Sequence, residues 1–202
     1  MSKENGVIYR ISGPAVTAVG ISPRMYEVVR VGNEGLMGEV IELHGDQSVI
    51  QVYEETSGVR PGEPVVRTGQ TLSVQLGPGL LTKIYDGIQR PLPELEKTMG
   101  VFIKRGVDAD GLDLEKIWDF NATSKKGDSV SSGDILGTVQ ETKTIEHKVM
   151  VPPGVSGKIK DIKSGDFNVT QTVCTLEDGT EIQMMQKWPV RTPRPFTKKH
   201  AP

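Results

Sequence analysis

The sequence has few of the features that mark secreted, membrane-spanning or polyanion-binding proteins. Its single cysteine, Cys174, excludes an internal disulfide and fits a reducing compartment. That cysteine lies in an apolar, strand-like run, so we expect a buried and inert thiol. No apolar run is long enough to cross a bilayer, and the first residues do not match a signal peptide. The net charge of −2, from 24 basic and 26 acidic residues, gives no bias toward nucleic acid.

Sequence motifs that carry chemistry are also missing. The phosphate-binding loop G-x-x-x-x-G-K-S/T does not occur, and the nearest stretch, Gly154-Val-Ser-Gly-Lys158, has two residues between its glycines instead of four. The three aspartates within 108–113 lack the glycine and the closing glutamate of a calcium loop. Glu54 and Glu55 are neighbours on a predicted strand, so their side chains should point to opposite faces. We therefore predict no catalytic, cofactor-binding or metal-binding residue in this chain.

Glycine and proline are abundant, with 23 and 13 residues, and they divide the chain into short strand-like runs. Six or seven such runs follow one another closely in the first 76 residues. This spacing predicts a closed β-barrel, an architecture that leaves no strand edge exposed. The predicted strands are 6–11, 15–19, 26–31, 36–43, 48–54, 65–66 and 72–75.

The segment from Gly77 to Pro91 interrupts the strand pattern. Its apolar residues recur at helical spacing, at Leu80, Leu81, Ile84, Tyr85 and Ile88. Glycines and a proline precede these residues, and prolines follow them, as at the ends of a helix. The spacing predicts a short connecting helix between two β modules, with a second short helical turn over 92–101.

Short strands return from residue 125 onward. The stretch Gly127-Asp-Ser-Val130 recurs imperfectly as Gly165-Asp-Phe-Asn-Val169. Such a quasi-repeat predicts two similar halves folded onto each other.

The run 127–139 also resembles biotinyl and lipoyl carrier domains. In those domains a lysine on an exposed hairpin holds the cofactor, and the cofactor supplies the reactivity. Lys143 occupies about that position, so covalent modification of Lys143 is the alternative function. Its neighbours Thr142 and Thr144 are not the residues that usually flank a carrier lysine, and the carrier pattern covers well under half of the chain.

Longer stretches resemble the catalytic A subunit of V-type and archaeal A-type rotary ATPases. They occur in the family's order and cover essentially the whole chain. They include Met25-Tyr-Glu-Val-Val-Arg-Val-Gly32, Gln51-Val-Tyr-Glu-Glu-Thr-Ser-Gly58, 77–91, His147-Lys-Val-Met-Val-Pro-Pro153 and Trp188-Pro-Val-Arg-Thr-Pro-Arg-Pro195.

The resemblance implies a mainly β fold with a barrel, a short helical hinge and a second, barrel-sandwich-like bulge domain. The expected segments are the barrel over 1–76, the hinge and connector over 77–117, the bulge over 118–190 and a linker over 191–202. The family's barrels alternate with those of the B subunit in a hexameric crown, and its bulge contacts the peripheral stalk.

The resemblance also sets expectations about chemistry. In the family's whole subunit, Mg-ATP is bound and its synthesis or hydrolysis is coupled to ion transport. The linker would lead to a nucleotide-binding domain beyond these 202 residues, so we expect a non-catalytic chain without a cofactor of its own. It would meet a membrane only indirectly, on the cytoplasmic face, through the whole complex.

Overall fold

The computed structural model describes residues 5–100 and 104–194. Strands dominate these residues, as predicted, and the chain forms two compact units. The first unit comprises Met1–Ser73 with Glu94–Ala109, and the second comprises Val74–Pro93 with Asp110–Pro202. Among the described residues, no helix combines the length and apolarity needed to cross a membrane.

The first unit is built on a closed antiparallel barrel with the strand order β1-β2-β5-β4-β3-β6. Its strands are β1 (Asn5–Ser12), β2 (Ala15–Val19), β3 (Glu27–Val31), β4 (Leu36–His44), β5 (Gln47–Val52) and β6 (Pro64–Thr71). The predicted barrel is confirmed with six strands. The run predicted at 72–75 instead forms β7 (Ser73–Leu76), which pairs with a strand near the end of the chain rather than with the barrel.

Alternating side chains fill the barrel with aliphatic residues. Val16 and Ala18 of β2 and Ile50 and Val52 of β5 are almost fully buried, whereas the residues between them are partly exposed. Each of the buried valine and isoleucine side chains stabilises the fold by about 1.5–3 kcal/mol. Gly38 of β4 lets β5 approach closely, since a Cβ at this position would lie 2.6 Å from a methyl carbon of Ile50.

The helix predicted over the apolar residues 80–88 is wrong, because the structure has turns there. Thr82 and Gln89 have φ angles of 67° and 66°, which an α-helix cannot accommodate. The Asp86 carboxylate accepts hydrogen bonds from the amides of Ile88 and Arg90, at 3.1 and 2.8 Å. Such local side-chain bonds compete with helix formation.

The helix in this region is α1 (Leu92–Met99), which lies where the sequence predicts a second helical turn. Pro93 occupies its first turn, where the missing amide of proline costs no intrahelical hydrogen bond. Glu94 in the first turn and Lys97 in the last suit the helix dipole. Residues 101–103, the first of which belongs to the predicted turn, lie outside the described residues.

The second unit contains two four-stranded sheets and a strand pair. One sheet has the order β11-β10-β8-β13 and the other β15-β14-β12-β9, and β16 pairs with β7. The strands are β8 (Trp118–Ala122), β9 (Ser129–Val130), β10 (Ile135–Gln140), β11 (Glu146–Met150), β12 (Gly157–Ile162), β13 (Gly165–Phe167), β14 (Thr172–Leu176), β15 (Glu181–Gln183) and β16 (Gln186–Pro189).

This strand order confirms the two similar halves predicted from the quasi-repeat. Strands β8 to β11 form one half and β12 to β15 the other, and each half supplies three strands of one sheet. The second strand of each half joins the edge of the sheet that the other half mainly builds. In the first half this strand is β9, which directly follows Gly127-Asp128, and in the second half it is β13, which begins with Gly165-Asp166. The exchange of these two strands links the halves.

Candidate functional site: polar anchors of the loops

The acidic residues that the sequence offers as candidates for chemistry each have a separate partner in the structure. Asp110 accepts a hydrogen bond from Gln75, and Asp113 accepts two from the amides that follow it, at Glu115 and Lys116. Asp108 instead pairs with Arg30 of the barrel. Within residues 5–100 and 104–194, no group of three His, Cys, Asp or Glu side chains is placed to hold a metal ion.

The glycine-containing stretch Gly154–Lys158 begins in a loop, and the adjacent acids Glu54 and Glu55 lie in another loop. The Gly154–Lys158 stretch begins with a turn, in which Val155 donates to the Pro152 carbonyl and the Gly154 amide donates to the Ser132 hydroxyl. The Glu54 and Glu55 carboxylates serve different partners. Glu54 accepts from the amide of Gly106, and Glu55 accepts from the Ser57 hydroxyl.

A buried ion pair in the barrel joins Glu27 of β3 to Arg67 of β6. Both Glu27 carboxylate oxygens accept from the Arg67 guanidinium at 2.9 Å, and the amides of Arg24 and Gly69 add two more hydrogen bonds. Burial raises the pKa of Glu27, but these four hydrogen bonds and the Arg67 charge outweigh it, so the pKa lies below its ordinary value. The pair therefore fixes the end of β3 against β6.

The turn segment 77–91 carries an ion pair of its own. The Asp86 carboxylate accepts from Arg90 Nε at 2.7 Å, in addition to its two backbone amides. Burial raises the pKa of Asp86, whereas the hydrogen bonds from Arg90 and Ile88 and the Arg90 charge lower it by more, so the pKa lies below its ordinary value. These contacts hold the turn that replaces the predicted helix.

Glu141, at the end of β10, anchors the start of the same segment. Its side chain is only 5% exposed, and its Oε1 accepts from the amides of Gly79 and Leu81 at 2.7 and 3.1 Å. Its Oε2 lies 3.5 Å from Nδ1 of His147 on β11. Burial lowers the pKa of His147 although the Glu141 charge opposes this, so the imidazole is neutral at pH 7.

The sequence alone does not reveal these anchors. Glu27 and Asp86 lie in stretches that carry the family resemblance, but no local pattern marks either of them or Glu141 as an anchor, and each is one acid among 26 in the sequence. Their carboxylates are occupied by amides or guanidinium groups, which stabilise loops and strand ends. An arrangement of this kind holds backbone in place and is suited to a scaffold.

Cys174 lies in the apolar core of the second unit, 1% exposed. Burial raises the pKa of its thiol to about 11, with a smaller contribution from the Asp161 charge. Since the thiolate is the reactive form, the predicted inert thiol agrees with this environment.

Comparison with known proteins matches each unit to a family model. Residues 8–69 match the beta-barrel domain of the ATP synthase alpha/beta family. Residues 109–191 match the barrel-sandwich domain of the ATP synthase alpha/beta subunit. This second match includes Lys143 and does not support the carrier hypothesis. Lys143 stands exposed in the β10–β11 hairpin loop.

The chain is similar over almost all of its length to archaeal relatives. It is 64% identical to the A subunit of the A-type ATP synthase of Methanosarcina barkeri over 197 residues, which are 98% of this chain and 34% of the relative. It is also 64% identical to that of Methanoculleus marisnigri, over 99% of this chain and 35% of the relative. The chain thus spans about a third of the length of these relatives.

Among solved structures, the chain is similar to the assembled ATPase EscN from the enteropathogenic E. coli type III secretion system. The match covers 43% of this chain and 21% of the EscN chain. The sequence identity is 27% and the TM-score is 0.41. A score below one half does not establish a shared overall fold.

Proposed function

We propose that this chain, which belongs to the ATP synthase alpha/beta family, forms the scaffold part of the A subunit of a rotary ATP synthase. The observation that carries the proposal is the match of both family domains in order, together with 64% identity to such a subunit over 98% of the chain. In the proposed whole subunit, Mg-ATP binding and the coupling of its turnover to ion transport belong to other residues.

The barrel is the proposed contact with the B subunit in a hexameric ring. Exposed apolar side chains on its outer surface support this role. Val7 and Tyr9 alternate outward along β1, 45% and 61% exposed, and Val66 is 39% exposed on the adjacent β6. Apolar side chains that cluster on a protein's surface are typical of interaction sites.

The barrel-sandwich unit is the proposed contact with the peripheral stalk. By role we propose a barrel over 1–76, a connector over 77–117, a bulge over 118–190 and a linker over 191–202. This division differs from the two compact units, because 74–93 belong to the second unit and 94–109 to the first. The proposed location is the cytoplasmic face of a membrane, reached through the complex alone.

Binding to a B subunit tests this function. We expect the chain to co-migrate with the B subunit of an A-type ATP synthase in size-exclusion chromatography, and Tyr9→Ser to weaken the complex. Lys160→Ser, an exposed substitution in the other unit, is the matched control and should not affect it. Failure of the unaltered chain to bind, or equal binding by Tyr9→Ser, would contradict the proposed contact.

Mg-ATP provides a second, independent test. The chain should show no change in melting temperature on addition of Mg-ATP, because the proposed scaffold does not handle nucleotide. A rise of several degrees would show that ligand binds the folded state, and it would contradict the scaffold role.

A further inference from the structure

The Arg105 side chain lies across two loops at one end of the barrel. One guanidinium nitrogen donates to the backbone carbonyls of Glu55 and Ser57, at 2.8 and 2.6 Å. The other terminal nitrogen donates to the Glu34 carboxylate at 2.8 Å. The acceptors come from the loop between β3 and β4 and from the loop between β5 and β6, so one side chain joins both.

The backbone next to Arg105 fits the same place. The Gly106 amide donates to the Glu54 carboxylate at 3.0 Å. Gly106 has a φ of 71°, and a Cβ at this position would overlap the carbonyl of Glu34. Glycine is therefore required for residues 104–108 to seat against the loops.

A third contact fixes the far end of this segment. Asp108 forms an ion pair with Arg30 of β3, and Arg30 also donates to the carbonyl of Gly35. None of the described residues from 94–109 belongs to the apolar core of the barrel. Residues 104–108 contact the rim of the barrel through these hydrogen bonds and the ion pair, and none of them belongs to its apolar core.

We propose that these two loops form a guanidinium-binding site, which Arg105 fills from within the chain, and that residues 104–108 act as a strap carrying this ligand. Guanidinium is planar and presents its donors in a fixed fork, which matches two carbonyl oxygens and a carboxylate around its edge. An ammonium group is a compact point charge without this geometry. Arg105 is 31% exposed and its partner Glu34 47%, so water reaches the edge of the site while the strap is seated.

Hydrogen–deuterium exchange of the whole chain with Arg105→Ala tests the proposal. Exchange of amides in 104–108 and 53–58 should rise by at least about tenfold, because three charge-assisted hydrogen bonds are lost. Amides of β2 and β5 in the barrel should keep their protection. Guanidinium chloride at millimolar, non-denaturing concentration should restore the protection of 53–58, whereas ammonium chloride should not.

Two further variants separate a specific site from a merely structural contact. Gly106→Ala keeps the Arg105 side chain but blocks the seating of the strap, so exchange of 104–108 should rise, and guanidinium should not restore the protection of these strap amides. Arg105→Lys should restore little of the amide protection in 104–108 and 53–58, because the lysine ammonium lacks the planar, forked arrangement of guanidinium donors. Arg60→Ala, which removes another exposed arginine from the β5–β6 loop, is the control and should behave like the unaltered chain.

Three results would overturn the proposal. Unchanged exchange of 104–108 in Arg105→Ala would show that Arg105 does not hold the strap. Equal rescue by ammonium and guanidinium would show that the site has no guanidinium geometry. Loss of protection in β2 and β5 would show that the strap does not open independently of the barrel.

Discussion

The Glu141 carboxylate accepts a 2.7 Å hydrogen bond from the backbone amide of Gly79, although 62 positions separate the two residues in the chain. This bond joins the end of β10 to the start of the turn segment 77–91. Because Glu141 also accepts from Leu81, one buried side chain sets the path of the backbone after β7. The second unit therefore depends on a polar contact as well as on its apolar cores.

Glu141→Ala should destabilise the second unit by about 2–4 kcal/mol, because two backbone amides lose a charged acceptor in a largely buried place. Urea unfolding, followed by the fluorescence of Trp118 and Trp188, measures this change. Glu146→Ala, an exposed substitution on the same hairpin, should stay within about 0.5 kcal/mol of the unaltered chain. Equal unfolding midpoints for the two variants would contradict the role of Glu141.

The Glu27 carboxyl should make the barrel sensitive to acid. Its pKa in the folded state lies below the ordinary value of 4.5. The stability it contributes is therefore fully present above that value and is lost as the pH falls through the folded pKa. The free energy of unfolding, measured between neutral and acid pH, should fall less steeply in Glu27→Gln than in the unaltered chain. Parallel curves would show that Glu27 does not contribute.

Gly137→Ala should destabilise the second unit by about 1–3 kcal/mol through overpacking. A Cβ at Gly137 would lie 2.5 Å from the carbonyl oxygen of Asn121 and from the Phe120 ring. Gly87→Ala is the matched control, since a Cβ there meets nothing within 4 Å. Thermal unfolding compares the two, and a similar melting temperature for both variants would contradict the close approach of β8 and β10.

The Cys174 thiol should react only when the second unit unfolds. Its burial and its pKa of about 11 leave almost no accessible thiolate at neutral pH. Labelling with iodoacetamide, followed by intact mass, should therefore rise along the same urea curve as the tryptophan fluorescence. Rapid labelling of the native chain would show that the cysteine is accessible.

The strands could be predicted from the sequence because glycine and proline mark their ends. The predicted range 15–19 is the observed range of β2. The turns of 77–91 could not be predicted in this way. Leu80 and Ile84 have helical spacing, but Thr82 and Gln89 have positive φ angles, and the Asp86 carboxylate accepts a backbone hydrogen bond that favours a turn. The spacing of apolar residues contains no signal for either feature.

The polar contacts of Glu141 and Arg105 could not be predicted for a different reason. Glu141 accepts a hydrogen bond from Gly79, which is 62 positions away in the sequence, and Arg105 donates one to Glu34, which is 71 positions away. A single sequence contains no signal for such pairs, because neither partner belongs to a motif with fixed spacing. The resemblance to the rotary ATPases could be recognised because the similar stretches of sequence are long and occur in the family's order.

Replacement of the matching third of the Methanosarcina barkeri relative by this chain tests the scaffold role most directly. The two share 64% identity over 98% of this chain. If this chain supplies the ring-forming part, the chimeric protein will assemble with the B subunit into a hexamer that native mass spectrometry detects. A chimera that folds but remains monomeric with the B subunit present would contradict that role.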